Sequence, residues 1–293
     1  MRARTVPLAS LAIVIALTSV NIGAALGKSL FALVGPEGVA ALRTSIAAII
    51  LLVVARAWSA RFTRRQALWM ALYGIALGGM NLLIYWAIAR IPIGIAVTIE
   101  ICGPLAVVLL TSRSTRDFLW FALAVAGLLL LMPWPGAAGT SVDPAGVLYA
   151  LGAATCWALY ILFGKRAAEA ESGVAVAVGM AIACLVTLPA GISVAGGNLL
   201  LPEVLLLGAV VAVLSSALPY YLEMRALEKL SSRLFGLVTS SAPAIAALVG
   251  FFMLGERLTP MQWMAVCMMI VASAGCSLAS RPPVEHPGED VMS

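Results

Sequence analysis

A single acid, Glu100, lies within "GIAVTIEICGPLAVVLL", residues 94–110, and no other charge shares the run. A carboxylate in such surroundings loses its water, which is costly unless another group replaces it. A cation such as an ammonium group would do so, and so would a proton. A third reading is structural: a neutral acid hydrogen-bonded to a neighbouring helix. Pro104 stands four residues on. It removes the N–H that would otherwise bond the Glu100 carbonyl, so the helix is weakened at the acid itself. Gly94, Ala96 and Gly103 thin the same segment, which favours a cavity or a close helix crossing.

One base has comparable surroundings. Arg43, in "VAALRTSIAAII", is the only basic residue placed inside an apolar segment. Its planar fork suits a carboxylate clamp. It would also serve as an ion-pair partner, or snorkel to an interface. Polar and aromatic residues at helical spacing extend the candidate set. Ser216, Tyr220 and Glu223 share one face, and Gly78, Asn81 and Tyr85 share another. Trp157 and Tyr160 are placed to line a cavity from a third helix. The candidate binding residues are therefore Glu100, Arg43, Asn81, Tyr85, Trp157, Tyr160, Tyr220 and Glu223, with Glu100 also the candidate proton-coupling group. Bland readings stand beside these. Glu223 has Arg225 and Lys229 close by for an interfacial pair, and aromatics commonly form packing contacts or interface belts.

Other chemistries lack their residues. The one histidine, His286, is in the tail, and the cysteines Cys102, Cys156, Cys184, Cys267 and Cys276 have no metal-site spacing. They read as buried free thiols. Asp117 and Asp143 fall in loops and Asp290 in the tail, so no convergent catalytic set is legible. No phosphate-binding loop is present, so energy would come from ion or substrate gradients. No ring of charge or filter-like sequence suggests a channel. The expectation is a non-enzyme with no cofactor and no metal.

The elements that must position these side chains follow from composition. The 293 residues are 62% hydrophobic and 11% charged, with mean hydropathy +1.06. Soluble domains are about half apolar and about one quarter charged, so this chain reads as a multi-pass membrane protein surrounded by lipid. Its net charge of +5 then reflects loop placement rather than nucleic-acid binding. Apolar segments near spanning length recur at about 7–27, 38–57, 67–89, 93–112, 117–132, 144–163, 173–195, 203–226, 233–254 and 259–280, the fifth being short. The connections are brief, and only "RPPVEHPGEDVMS", residues 281–293, reads as a disordered tail.

With the amino terminus cytoplasmic, fourteen of the 18 basic residues fall on the inner side, three (Lys28, Arg90, Arg257) outside, and Arg43 within a segment. That bias predicts ten spans with both termini cytoplasmic. The basic, apolar start also fits a cleavable leader, but the second half of the chain carries a counterpart of this first segment. "ALGKSLFALVG" and "LFGKRAAEAES" place Gly-Lys pairs 137 residues apart, and "EICGPLAVVLL" and "TSSAPAIAALV" place prolines 139 apart. Two halves of five helices follow, residues 1–133 and 144–280, and an odd number inverts the second half. The expected fold is all-α, ten transmembrane helices as two inverted five-helix repeats, with a site near the midplane between halves. Thr239 stands where Glu100 stands in the other half, so any such site is one-sided. Lys28 and Lys165 read as interfacial anchors, and Gly23/Gly27 and Gly74/Gly78 as close-packing pairs.

The ending "FFMLGERLTPMQWMAVCMMIVASAG" resembles the ninth-to-tenth helix junction of the EamA-type members of the drug/metabolite transporter superfamily. "GAALGKSLFALVGPEGVAALR", "GGMNLLIYWAIARIPIGIAVTIEICGPLAVVLL" and "SSALPYYLEMRALEKLSSRLFG" are similar to the amino-acid exporters among them, those for threonine and homoserine first. The resemblance spans nearly the whole chain, except the loop around 133–143 and the tail. It implies a secondary transporter of the bacterial inner membrane that exports threonine, homoserine and other neutral amino acids; a titrating Glu100 makes proton antiport the expected coupling, and a monomer is expected. The alternative it leaves open is an exporter of aromatic amino acids, or of a broad range of metabolites, acting as a facilitator.

Overall fold

The computed structural model describes residues 2–60, 62–111, 115–131, 142–167, 172–219, 222 and 238–279, and these are helical apart from short connections. Tyr220, Glu223, the loop around 133–143 and the 281–293 tail lie outside the described residues, apart from Val142 and Asp143 at the end of that loop. The helices are α1 (Arg2–Ser29), α2 (Phe31–Val54), α3 (Arg64–Ile88), α4 (Ile93–Glu100), α5 (Cys102–Thr111), α6 (Thr115–Leu131), α7 (Pro144–Ala167), α8 (Ser172–Ala195), α9 (Pro202–Ala212), α10 (Ala242–Leu254) and α11 (Pro260–Ala279). Among the described residues, five apolar helices have full spanning length: Leu8–Ser29, Phe31–Val54, Arg64–Ile88, Pro144–Ala167 and Gly173–Leu200. Five shorter apolar stretches accompany them: Ile93–Val107, Phe118–Leu130, Pro202–Ala217, Ala242–Leu254 and Pro260–Cys276.

The segment expected as one helix over 93–112 is two. The helix stops at Glu100, Ile101 forms a turn, and α5 starts at Cys102. Pro104 is the physical cause, since it cannot donate to the Glu100 carbonyl. The equivalent place near the other end of the chain behaves alike: Ser240 and Ser241 form a turn before α10, with Pro243 in its first turn. A third irregularity follows α9, where Val213–Ala217 wind as a π turn and the Leu218 N–H bonds the Val213 carbonyl. Helix α2 begins at Phe31, earlier than the expected 38, because a short first turn is merged with the main helix across a kink at Gly35 (φ 68°) next to Pro36. That backbone conformation favours a residue with no Cβ.

Packing is pairwise. Helix α2 lies along α8, α3 along both α7 and α8, α6 along α11, α4 along α10, and α1 along α10 and the α9–π-turn stretch. Small residues permit these crossings. A Cβ on Gly74 would stand 2.6 Å from the Gly179 carbonyl, and one on Gly78 would stand 2.8 Å from Val186. A Cβ on Gly103 would collide with the Ala154 backbone of α7. Both Gly-x-x-x-Gly pairs therefore serve close packing within the chain, since Gly23 meets Ser215 and Gly27 meets Val39 and Tyr85. At the α2–α8 crossing, Thr44 and Thr187 share a hydrogen bond of 2.6 Å and Ser45 approaches Cys184 at 3.1 Å. The main core gathers Leu30, Val39, Tyr85, Ile88, Ile93, Ile95 and Ile99 from the first helices with Val147, Ala150 and Val211 from later ones.

Candidate functional site

Arg43 and the π turn form a polar constellation in the interior. Pro219 lacks an N–H, so the carbonyl four residues earlier, that of Ser215, has no normal helical donor. Arg43 fills the gap. Its Nη2 donates to the Ser215 carbonyl at 2.9 Å and its Nε to the Ser216 hydroxyl at 3.2 Å. Hydrogen bonds to a charged group are each worth about 1.5–3 kcal/mol, enough to hold a guanidinium in an apolar bundle instead of letting it snorkel. The Ser215 hydroxyl turns back to the Val211 carbonyl at 2.5 Å, and Ser19 of α1 donates to the Leu214 carbonyl at 2.7 Å. The turn is thus gripped from α1 and α2 together.

Tyr85 completes this side. Its ring centroid lies 6.0 Å from the Arg43 guanidinium carbon, and it is 1% exposed. Its hydroxyl is the one buried side-chain polar atom without a hydrogen-bond partner among the described residues. Gly27 leaves room for it: a Cβ there would stand 3.3 Å from the hydroxyl oxygen. Asn81, one helical turn earlier on the same face, is buried and donates to the Leu77 carbonyl at 2.8 Å.

Glu100 sits at the end of α4, where the helix breaks. It makes no ion pair among the described residues, whose two salt bridges are Lys28–Glu256 and Arg90–Asp143. Arg43 is bonded to Ser215 and Ser216 instead, so the acid and the base of the interior do not pair with each other. Trp157 follows Cys156 on α7 and is half-buried. Tyr160 belongs elsewhere: it stacks on Tyr73 at 4.8 Å, in a cluster where Trp69 meets Phe163 and the Arg166 guanidinium lies 4.5 Å over Trp69. The structure thus brings Arg43 and Tyr85 together, places Glu100 at the α4–α5 break and sets Tyr160 against Tyr73. The placements of Tyr220 and Glu223 lie outside the described residues.

Two features differ from the expectation. Lys28 is no simple anchor; its Nζ lies 2.7 Å from Glu256 Oε1. Glu37 accepts the Trp86 indole N–H at 2.6 Å, a contact with no signal in the local sequence. An apolar cleft of about 340 Å³ opens between α5, α6 and α7, lined by Cys102, Leu105, Phe121, Val125, Ala154 and Thr155. It includes neither Arg43 nor Glu100, so it is separate from the polar site. No group of His, Cys, Asp and Glu suited to a metal occurs among the described residues.

Comparison with known proteins adds the context. Residues 144–278 match the model of the EamA-like transporter family. Threonine/homoserine exporter RhtA of Salmonella typhimurium is 48% identical over 271 residues, 92% of each chain. Its counterpart in Escherichia coli K12 is 47% identical over 269 residues, 92% of this chain and 91% of its own. A crystal structure of a protein 22% identical covers 92% of this chain and 98% of its own with a TM-score of 0.57; that likeness is one of fold.

Proposed function

The chain belongs to the EamA-like transporter family, and we propose that it exports free amino acids from the cytoplasm, threonine and homoserine foremost. The observation that carries the reading is the coexistence in an apolar bundle of Arg43, bonded to the π turn, and Glu100, at the α4–α5 break, with no ion pair between them. A zwitterion must shed water from both of its charges to cross, and charge-assisted hydrogen bonds are the compensation on offer. Glu100 receives the ammonium group and Arg43 the carboxylate. The relatives that match over nine-tenths of their length are named threonine/homoserine exporters, which supports the substrate class.

The architecture that suits this function is ten spans in two inverted repeats, 1–133 and 144–280, with both termini cytoplasmic, in the inner membrane of a bacterium. The pairing of elements supports it. The Pro104 and Pro243 breaks stand 139 residues apart, and so do the touching pair Ser45 and Cys184. Contacts between equivalent residues are expected beside a two-fold axis. Broken helices at matching positions of two halves are a recurrent device of secondary transporters. The protein acts as a monomer and couples export to protons at Glu100. The second reading, a facilitator for aromatic or broader metabolites, is favoured by the half-buried Trp157 on α7.

Purified protein in liposomes loaded with labelled threonine separates the readings. Efflux should be saturable and competed by homoserine and threonine more strongly than by phenylalanine or tryptophan. Equal or stronger competition by the aromatic amino acids would replace the proposed substrate class with the alternative.

A further inference from the structure

A guanidinium has two hydrogen-bonding forks: a side fork, Nε with one Nη2 hydrogen, and an end fork, Nη1 with the other Nη2 hydrogen. Each matches the two oxygens of a carboxylate. In this protein the side fork is taken, Nε by the Ser216 hydroxyl and Nη2 by the Ser215 carbonyl. Among the described residues only the Tyr85 hydroxyl comes close to the rest of the guanidinium, and it does so short of good hydrogen-bond geometry. Beside the guanidinium lies Tyr85, fully packed and with a hydroxyl that has no hydrogen-bond partner among the described residues. The hydroxyl and the guanidinium face each other without closing a well-formed bond, and a carboxylate between them would accept from both.

The mount is specific in its chemistry. The π turn and Pro219 together release the Ser215 carbonyl, the Ser215 hydroxyl is bonded to the Val211 carbonyl, and Ser19 holds the neighbouring Leu214 carbonyl. Ser216 is 0% exposed, so bulk water does not compete for its oxygen. Irregular π turns of this kind concentrate at functional sites. Arg43 and Ser216 are 173 residues apart in the chain, so the contact joins helix α2 to the stretch that follows α9.

We infer that the π turn at Val213–Ala217 is the mount of a carboxylate receptor and that Ser216 is its positioning residue. By occupying the side fork of Arg43, the turn aims the end fork and the Tyr85 hydroxyl at the carboxylate of the substrate. This inference rests on the amino-acid export reading. It adds a specificity rule: substrates must carry a free carboxylate, and Ser216 governs how strongly that carboxylate is preferred over a neutral amide. Losing the Ser216 oxygen lets the guanidinium swing, so the penalty falls on carboxylate binding and not on helix assembly.

The test compares threonine with threonine amide as competitors for labelled threonine in proteoliposomes. The wild type should prefer threonine at least tenfold, about the value of one hydrogen bond to a charged group. Ser216→Ala should reduce that preference severalfold by raising the apparent KM for threonine while the value for the amide stays put. Ser216→Cys, of similar size but a weak acceptor, should do the same and covers the case in which the alanine variant does not assemble. Thr187→Ala, which breaks the Thr44–Thr187 bond between α2 and α8 but removes no partner of the Arg43 guanidinium, should lower thermal stability and keep the preference. If both Ser216 variants fold and keep the wild-type preference, or if the wild type transports threonine without preferring it to the amide, the inference is overturned. If the wild type transports no amino acid at all, the export reading itself fails.

Discussion

Lys28 Nζ lies 2.7 Å from Glu256 Oε1, pinning the last turn of α1 to the turn between α10 and α11, 228 residues later. The second oxygen, Oε2, accepts the Ile93 N–H at 2.9 Å, at the start of α4. One carboxylate thus joins three elements. Gly250 makes room for it, since a Cβ there would stand 2.5 Å from Oε2. Gly255 (φ 67°) turns the chain so that Glu256 reaches inward.

Glu256→Ala should therefore cost about 2–4 kcal/mol, because it strips both Lys28 and the Ile93 N–H of their acceptor. Lys28→Ala should cost about 1 kcal/mol, since its ammonium, on a side chain 27% exposed, is partly solvated and contributes less. Thermal unfolding in detergent checks the order. A Glu256→Ala variant as stable as Lys28→Ala would show that the Ile93 bond contributes nothing.

Glu100→Gln and Arg43→Leu should each reduce threonine efflux at least tenfold while leaving folded, membrane-inserted protein, as removal of a charge-assisted bond requires. Size-exclusion profiles report folding and proteoliposome efflux reports function. Normal transport by Glu100→Gln would remove Glu100 from the site.

Proton coupling gives a separate signature. If Glu100 holds the ammonium group as proposed, a proton on it cancels the attracting charge, so protonation from outside favours release there. An exterior made acidic relative to the interior should accelerate efflux, and efflux should alkalinise the exterior. Net efflux unchanged by the gradient, with no proton movement, would make the protein a facilitator.

The start of α7 should be acid-sensitive. Asp143 Oδ1 accepts the Ala145 N–H at 2.9 Å and Oδ2 the Arg90 guanidinium at 3.1 Å. These bonds, the backbone N–H first, hold the Asp143 carboxyl below the usual carboxylate range. A depressed value means that the stabilisation is complete above the ordinary aspartate range near pH 4 and is lost as the pH falls through the folded value. The stability difference between wild type and Asp143→Asn should therefore be present at pH 7 and shrink on acidification. A difference that is constant from neutral to acid pH would contradict the assignment.

Sidedness is checked by labelling. In a cysteine-free background, Gly139→Cys should react with an impermeant thiol reagent on intact cells, and Ser59→Cys and Ser114→Cys should not. The reverse pattern would overturn the inverted-repeat topology and the direction of transport with it.

Local rules reach part of the fold and part of the site. Pro104 predicts a weak point at Glu100, and the helix does stop there. The same rule applied at Pro219 marks the Ser215 carbonyl, the signal by which the π-turn acceptor can be found from the chain alone. Lys28 reads as an anchor in the sequence because its partner, Glu256, is remote along the chain. Helical periodicity groups Tyr160 with the cavity, but periodicity sees a face and not the neighbour that face meets; that neighbour is Tyr73.

The amino-acid sequence by itself determined the membrane character, the helical class, the weak point at Glu100 and the two charges that no loop can hold. These follow from hydropathy, segment length and the missing N–H of proline, all properties of a residue and its near neighbours. Only the tertiary structure decided that Arg43 bonds Ser215 and Ser216 instead of Glu100, that Tyr85 keeps an unpartnered hydroxyl beside it, and that Glu256 gathers Lys28 and Ile93. The reason is that these contacts join groups up to 228 residues apart. They are selected by which glycines let two helices approach, and that is a property of the packed bundle as a whole.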